Sequence, residues 1–380
     1  TPTPSPTPDI TYAPLPEVSM QPFTIAGNGE VLDDISDGSK EFYTITTSNN
    51  NSFFIVVDRA RASENVYMLA KVNEDDVSDF IEGYTAPTPT PAPTVQIQLP
   101  TPAPTPFTVV WVSDTQSMVA YKDTHERYFA MCDWIAEHAE ERNFVLFLHT
   151  GDMVDDGDHK GQWQIFLNGL DRITQKMAYF WAFGNHDEGK LGKRPWIYQP
   201  FNEALPEEQK QNFGECAYTV FEAGGMQFLL LSVSWRAEHS QTTVAWLREV
   251  CAAHSDLPAI LLTHGYLTKE GEVSNLAEIL ESDLVAMCPN IRLVLCGHAR
   301  GIARRAFAYD DDGDGTAERT VNVLMYDLQT DRERYGYLCF LTYDPVQNML
   351  SFVSYSPYFD DEVYDDEHPE LERFTLENVF

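Results

Sequence analysis

The chain has 380 residues and a formal net charge of −34 at pH 7, and its length corresponds to two or three average domains. The excess of acidic residues argues against a protein that binds nucleic-acid polymers or anionic membranes, because both partners require a basic surface. Since 43% of the residues are hydrophobic and 12% are aromatic, the chain can bury a core, and global disorder is excluded.

Two Thr/Pro-rich runs divide the chain. Residues 1–8 and 85–106 are linkers of the kind that favours extended polyproline II and acts as a semi-rigid spacer. They separate a small domain at residues 9–84 from a large domain at residues 107–357, which is followed by an acidic C-terminal tail at residues 358–380. Stalks of this composition are most common outside the cytoplasm. No stretch reaches the roughly 18 apolar residues of a transmembrane helix, so we expect an extracellular or cell-surface fragment of a longer polypeptide.

The small domain is predicted to be β-rich. The runs EFYTITT and SFFIVVDRA flank the turn residues SNNN, which predicts a hairpin, and NVYMLAKV predicts a further strand. The domain contains no histidine, cysteine or glycine-rich phosphate loop, so no catalytic role is indicated. Through FFIVVDRARASENVYMLAKVNEDDV it resembles the small extracytoplasmic domain of bacterial conjugative mobile-element proteins. We interpret it as a spacer or an adhesin.

From Phe107 onward, apolar β-type runs alternate with helical patterns, which is typical of layered α/β architecture. Five of these runs end in polar residues that can bind metals. The residues at these ends are Asp114 (with Gln116 two residues later), Asp152, Asn185 (followed by His186 and Asp187), His264 and His298. In open α/β sheets, ligands bind at the carboxyl ends of the strands, so the five ends are expected to converge on one rim.

The residue types at these ends indicate a metal site. Aspartate, asparagine and histidine together suit a divalent ion of borderline hardness, such as Zn, Mn or Fe. A single strand-end aspartate is more often a turn former, and a single buried histidine is more often a satisfied core residue. Five such ends in one chain favour a shared site instead.

The ordered series SDTQ, GDMVDDG, GNHD, THG and GHAR resembles the calcineurin-like metallophosphoesterases, over about residues 107–357. The resemblance implies a four-layer αββα sandwich with two facing mixed sheets. It also implies a phosphoric ester hydrolase, which cleaves a phosphomonoester or phosphodiester through a metal-bound hydroxide.

Residue by residue, the resemblance assigns roles to most of the strand ends. Asp152 would bridge two divalent metals, Asp114 would belong to the first site, and the second site would be completed by Asn185, His264 and His298. His186 would contact the scissile phosphate and help the leaving group depart. Asp155 matches the acid that hydrogen-bonds this histidine in part of the family, which raises its basicity. The residues His149, Asp187, His239 and Tyr266 are further candidates for shaping the pocket.

Two positions depart from the family pattern. Gln116 stands where the first metal site expects a histidine, and Arg300 stands where G-H-x-H expects its second histidine. The first site would keep Asp114, Asp152 and Gln116, an oxygen-only set that suits Mg, Ca or Mn better than Fe. The DTQ variant resembles a secreted branch of the family. Arg300 could hold a substrate phosphate through a bidentate contact, and it is therefore a candidate catalytic residue.

These departures leave two interpretations open. The first is an active hydrolase with one or two divalent metals and a small phosphate-ester substrate. The second is a degenerate phosphoesterase fold that serves as a surface binding module.

A separate acidic loop carries Asp310, Asp312 and Asp314 at alternate positions. Its spacing partly matches an EF-hand calcium loop, but the twelfth position is Val321 and not glutamate. The favoured interpretation is a tight acidic turn between two strands, and a weak calcium site is the alternative.

Overall fold

The chain divides into two compact units, Thr1–Gln96 and Ile97–Phe380. The computed structural model describes residues 29–36, 40–47, 52–58, 66–70, 104–189, 205–206, 209–211, 216–328, 332–362 and 367–380. None of the helices in these ranges is long and apolar enough to cross a membrane.

The first unit contains a four-stranded antiparallel sheet whose strands pair in chain order. Its strands are Gly29–Ser36 (β1), Lys40–Thr47 (β2), Ser52–Asp58 (β3) and Val66–Ala70 (β4). The pairing of β2 with β3 confirms the predicted hairpin, and β4 lies within the predicted third strand. β-Branched and aromatic residues dominate β2 and β3, as expected for strands.

The second unit contains two mixed sheets. Its strands are Phe107–Val112 (β5), Phe144–His149 (β6), Ala178–Trp181 (β7), Lys210–Gln211 (β8), Cys216–Ala223 (β9), Met226–Val233 (β10), Ala259–Thr263 (β11), Ile291–Cys296 (β12), Gly301–Tyr309 (β13), Arg319–Asp327 (β14), Leu338–Asp344 (β15), Met349–Tyr355 (β16) and Arg373–Glu377 (β17). One sheet has the order β17-β16-β15-β5-β6-β7, and the other has the order β13-β14-β12-β11-β10-β9-β8.

Helices cover the outer faces of both sheets. They are Gln116–Ala120 (α1), His125–His138 (α2), Lys160–Thr174 (α3) and Gln241–Ala253 (α4). Short helical turns lie at Ala237–His239, Arg332–Arg334 and Pro369–Leu371, and Glu278–Leu280 continues into a π-helical segment at Glu281–Val285. Ser240 precedes α4 and caps it, because its side chain accepts a hydrogen bond from the Thr243 N–H.

Three apolar clusters account for the layering. One lies between the six-stranded sheet and α1 to α3, one lies between the two sheets, and one lies between the seven-stranded sheet and α4. Because they are covered on both faces, the central parallel strands are continuous apolar runs and not alternating ones. The arrangement is the four-layer αββα sandwich that the motifs predicted.

The topology brings the carboxyl ends of the central strands to one rim. Strands β5, β6 and β7 are parallel neighbours in one sheet, and β10, β11, β12 and β14 are parallel neighbours in the other. The loops that follow these strands carry the motif residues.

The acidic C-terminal stretch contributes a strand. β17 pairs antiparallel with β16 and forms one edge of the six-stranded sheet. Phe374 stacks on Phe352 with ring centroids 4.8 Å apart. This part of the stretch is therefore an ordered edge strand that packs on the sheet through one face.

Candidate metal centre

Sharp backbone turns follow three of the motif strands. Asp114, Asp152 and His298 have positive φ angles of 55°, 52° and 69°. Residues other than glycine adopt this region rarely and at a cost of about 1–3 kcal/mol, and such residues cluster at functional sites.

At the centre of the site, one histidine nitrogen and two side-chain oxygen atoms face one another, and all three can accept hydrogen bonds. His264 is fully buried, and its Nδ1 lies 2.8 Å from the carbonyl oxygen of Thr150. Its Nε2 lies 3.2 Å from Asp152 Oδ2 and 3.2 Å from Asn185 Oδ1. A ligand atom of His298 completes a group with Asp152 and His264 within 4.8 Å.

This set fits a divalent cation. The Thr150 carbonyl requires a proton on Nδ1 of His264, so Nε2 faces the two oxygen atoms and, when it carries no proton, presents its lone pair to them. Three converging lone pairs repel one another unless a proton or a metal ion lies between them. Aspartate, asparagine and histidine are ligands that bind Zn, Mn and Fe.

Asp114 and Gln116 lie beside this group. The Asp114 carboxylate accepts hydrogen bonds from the backbone N–H of His298, at 3.1 Å, and from Ser113 Oγ, at 2.5 Å. Gln116 Nε2 lies 3.2 Å from Asp152 Oδ2, and a rotation of its amide would present the oxygen instead. Asp152 thus contacts both His264 and Gln116, the position that a metal-bridging residue needs.

Two motif glycines are required by the close approach of these carboxylates. A Cβ atom at Gly184 would lie 2.1 Å from Asp152 Oδ1, and a Cβ atom at Gly297 would lie 2.1 Å from Asp114 Oδ2. Any larger residue at either position would displace a candidate ligand.

His186 lies at the mouth of the site. Its backbone N–H donates to Asp152 Oδ1 at 2.8 Å, and its side chain is 40% exposed. Nδ1 lies 2.8 Å from the carbonyl oxygen of Asp155 and 3.3 Å from Asp155 Oδ1. Because these two oxygens hold the proton on Nδ1, Nε2 is the ring nitrogen left for a substrate.

Arg300 does not join the other predicted site residues. It is exposed, and within the described ranges no hydrogen bond or ion pair connects it to Asp114, Asp152 or His298. It stands directly before β13, at the surface of the rim.

Burial and charge shift the acidity of the central groups. Burial, followed by the charge of Asp327, raises the pKa of Asp114 well above its usual value. Burial also opposes the charged forms of Asp152 and His264, but their mutual attraction is stronger. This attraction lowers the pKa of Asp152 and raises the pKa of His264 to about 10.

Asp187 acts as an anchor behind the site. It is fully buried, and its carboxylate accepts hydrogen bonds from the backbone N–H groups of Met153, Val154 and Gly184, at 2.7, 3.1 and 2.8 Å. It therefore ties the loop of Asp152 to the loop of Asn185. Burial, then the charge of Asp152, raises the pKa of Asp187 to about 7.

The other three pocket candidates have different surroundings. His149 is buried on β6, and its Nδ1 accepts a hydrogen bond from the Gly151 N–H. Tyr266 is buried and donates to Glu281. His239 is exposed.

Sequence reasoning missed two buried acids near the rim. Glu238 is fully buried, and its Oε1 accepts hydrogen bonds from Thr263 Oγ1 and the Gly265 N–H, the two neighbours of His264. No motif marks Glu238, because it lies in a polar segment. Asp327 ends β14 and is 2% exposed, and the strand-end pattern of RTVNVLMYD could have indicated it.

The acidic loop between β13 and β14 is the turn that the sequence favoured. Asp310 Oδ1 accepts hydrogen bonds from the backbone N–H groups of Gly313 and Asp314. Asp310, Asp312, Asp314 and Glu318 are exposed and bring carboxylate oxygens within 4.8 Å of one another. Val321 is buried in β14 and is not part of this group.

Two facing mixed sheets with this donor set at their rim are the architecture of the metallophosphoesterase fold. Residues 107–299, about half of the chain, match the family model described as calcineurin-like phosphoesterase, and the chain belongs to this family. Phosphoester hydrolysis with divalent metals is the activity that the family supports. Residues 22–103 match the model described as mobile element protein CD1107-like, which confirms the resemblance of the small domain.

Individual relatives are more distant. The chain is 30% identical over 274 residues to the uncharacterized protein YvnB of Bacillus subtilis (strain 168), covering 68% of this chain and 20% of that protein. The chain thus spans about a fifth of the length of this curated relative. Purple acid phosphatase PPD1 from yellow lupin (Lupinus luteus) seeds is 13% identical with a TM-score of 0.49, covering 89% of this chain and 59% of that one. The protein TT1561 of Thermus thermophilus is 12% identical with a TM-score of 0.37, covering 68% of this chain and 98% of that one.

Proposed function

We propose that this protein hydrolyses a small phosphate monoester or diester with one or two divalent metals, outside the cytoplasm. The observation that carries the proposal is the convergence of His264 Nε2 with Asp152 Oδ2 and Asn185 Oδ1, each at 3.2 Å. At the common rim of both sheets, His264 and Asp152 are buried and Asn185 is half-buried, and His186 lies beside them at the entrance.

Each residue has a role that follows from its contacts. When bound, a divalent metal lowers the pKa of water and neutralises charge on the phosphoryl oxygens. Asp152, Asn185, His264 and His298 would hold it. His186 is oriented by Asp155 through Nδ1, so its Nε2 can bind a phosphoryl oxygen or give a proton to the leaving group.

Arg300 would act on the substrate and not on the metal. A guanidinium cannot ligate a cation, but it binds phosphate through two parallel hydrogen bonds. Its exposure leaves it accessible to a substrate that enters from solvent. Asp114 and Gln116 would hold a second metal.

The proposed location and substrate size rest on the sequence. The Thr/Pro linkers at residues 1–8 and 85–106 support an extracellular or cell-surface protein. The net charge of −34 disfavours long polyanions, so a small ester is the better substrate class.

The test is turnover of 4-nitrophenyl phosphate and bis(4-nitrophenyl) phosphate with Mn, Zn, Mg or Ca added in turn. We expect turnover with at least one metal. Asp152→Ala should abolish it, and His186→Ala should lower kcat by roughly 10²- to 10⁴-fold. His239→Ala is the matched control, because this histidine is exposed and should leave turnover unchanged.

The opposite outcome is equally specific. Protein that binds metal but hydrolyses neither ester with any of these ions would support the second interpretation, a surface binding module built on this fold.

A further inference from the structure

Trp235, in the loop that follows β10, packs against two of the candidate metal ligands. Its ring centroid lies 4.8 Å from that of His298, at an interplanar angle of 44°, and 5.8 Å from that of His264. The two histidine rings lie 5.0 Å apart, so the three rings form one cluster at the rim. Trp235 and His298 are both half-buried.

Backbone hydrogen bonds hold the loop of Trp235 beside the metal site. The Trp235 N–H donates to the carbonyl oxygen of Phe183 at 2.8 Å. The Phe183 N–H in turn donates to the Oγ of Ser234, at 2.9 Å. Because Phe183 lies two residues before Asn185, these bonds join the loop after β10 to the loop that carries the GNHD motif.

Gly265 allows the rings of Trp235 and His298 to approach each other. A Cβ atom at this position would lie 3.4 Å from Trp235 Cζ3 and 3.7 Å from His298 Cδ2, so both rings lie against its backbone. Gly265 directly follows His264. The indole ring therefore packs on the turn of one candidate ligand and on the ring of another.

The two histidines differ in how their rings are oriented. His264 Nδ1 lies 2.8 Å from the Thr150 carbonyl oxygen, and a hydrogen bond of this type usually orients a metal-binding histidine. Among the residues that the structure describes, the ring nitrogens of His298 make no hydrogen bond, and its backbone N–H is bonded to Asp114. Packing against Trp235 and His264 therefore has to orient the His298 ring.

We propose that Trp235 is the positioning residue of His298, whose imidazole it holds in the orientation that presents a nitrogen beside Asp152 and His264. The inference rests on the proposed function only in requiring a metal at these residues, because it concerns metal binding and not turnover. A ring that is already held in place loses less rotamer freedom when it binds a metal, so the contact should raise metal affinity.

The experiment titrates protein freed of metal by EDTA and dialysis with Co²⁺, and it records both the heat and the visible absorption of the ion. We expect Trp235→Ala to bind Co²⁺ about tenfold more weakly than the wild type, with a spectrum shifted toward that of His298→Ala. Trp235→Phe retains an aromatic ring and should bind within about threefold of the wild type, with the wild-type spectrum.

Trp246→Ala is the matched control. Trp246 lies on α4, is also half-buried and packs on Tyr218, with ring centroids 5.9 Å apart. Its replacement removes a comparable aromatic contact away from the candidate ligands, so Co²⁺ affinity and spectrum should stay unchanged.

A double-mutant cycle separates positioning of His298 from a general disturbance of the rim. If Trp235 acts through His298, Trp235→Ala should not weaken Co²⁺ binding further in the His298→Ala background, because the ring that it orients is gone. A disturbance of the whole rim would weaken binding by the same factor with and without His298.

Three results would overturn the proposal: a wild type that binds no Co²⁺, Trp235→Ala with the wild-type affinity and spectrum, or equal weakening with and without His298. If Trp235→Ala does not fold, Trp235→Leu keeps an apolar side chain without a ring and should weaken binding more than Trp235→Phe does. Equal affinities of these two variants would also count against it. Protein that shows the Trp235 effect but hydrolyses neither ester would refute the proposed function and leave this inference standing.

Discussion

The loss of stability that follows from replacing Asp187 can be worked out from its contacts. Its carboxylate accepts three buried backbone hydrogen bonds, from Met153, Val154 and Gly184. Asp187→Ala leaves these three donors unsatisfied at roughly 1–3 kcal/mol each, so we expect a loss of about 3–9 kcal/mol in the free energy of unfolding. Asp187→Asn keeps the shape and loses one acceptor, so its loss should be about 1–3 kcal/mol.

The assay is urea unfolding of the metal-free protein, followed by tryptophan fluorescence. All seven tryptophans lie in the second unit, so the signal reports this unit alone. Asp344→Ala is the control, because Asp344 also accepts backbone hydrogen bonds, from Val346 and Gln347, but at the surface. Its loss should stay below about 1 kcal/mol. A loss in Asp187→Ala no larger than that in the control would refute the reasoning.

Three further predictions concern pH, positioning and packing. In EDTA, the melting temperature should fall from pH 7 to 8.5. His264 has a pKa of about 10 in the folded protein and about 6.5 in the unfolded chain, so the stability that it contributes is complete below pH 6.5 and is lost as the pH rises toward 10. A melting temperature that does not change over this range would contradict this. Glu238→Ala should weaken Mn²⁺ binding about tenfold, because it loosens the turn around His264, whereas His239→Ala should leave binding unchanged. Equal Mn²⁺ affinities of Glu238→Ala and the wild type in titration calorimetry would exclude a positioning role for Glu238. Gly184→Ala should lower metal content measured by mass spectrometry, because its Cβ would overlap Asp152 Oδ1; full occupancy would show that the loop adapts.

The rim of the sheets could be predicted because it depends on local patterns. Apolar runs that end in polar residues mark strand ends, and parallel topology brings such ends together. Asp152, Asn185 and His264 were predicted in this way, and the structure places them in contact. The same rule applied to the later strand β14 would have indicated Asp327.

Other features depend on packing that no local pattern reveals. Glu238 reaches the turn around His264 only because a helical turn packs against the end of β11. A motif position specifies where Arg300 lies in the chain but not where its side chain points. In β17, apolar and polar residues alternate along RFTLE, which is a strand signal that the acidic composition of the stretch obscured. The structure agrees with it, because Phe374 and Leu376 are half-buried and the other residues of the strand are exposed.

The position of β15 next to β5 has a consequence for folding. Thr108 on β5 contacts Thr342 on β15, and the two are separated by 234 positions in the chain. The central pairing of the six-stranded sheet therefore closes a loop of 234 positions, and such a long-range pairing slows folding. Until the last strands are synthesised, β5 and its neighbours expose an unpaired edge that can aggregate. Residues 107–299 alone lack both β14 and β15, so we expect the family's core segment not to fold without the strands that follow it.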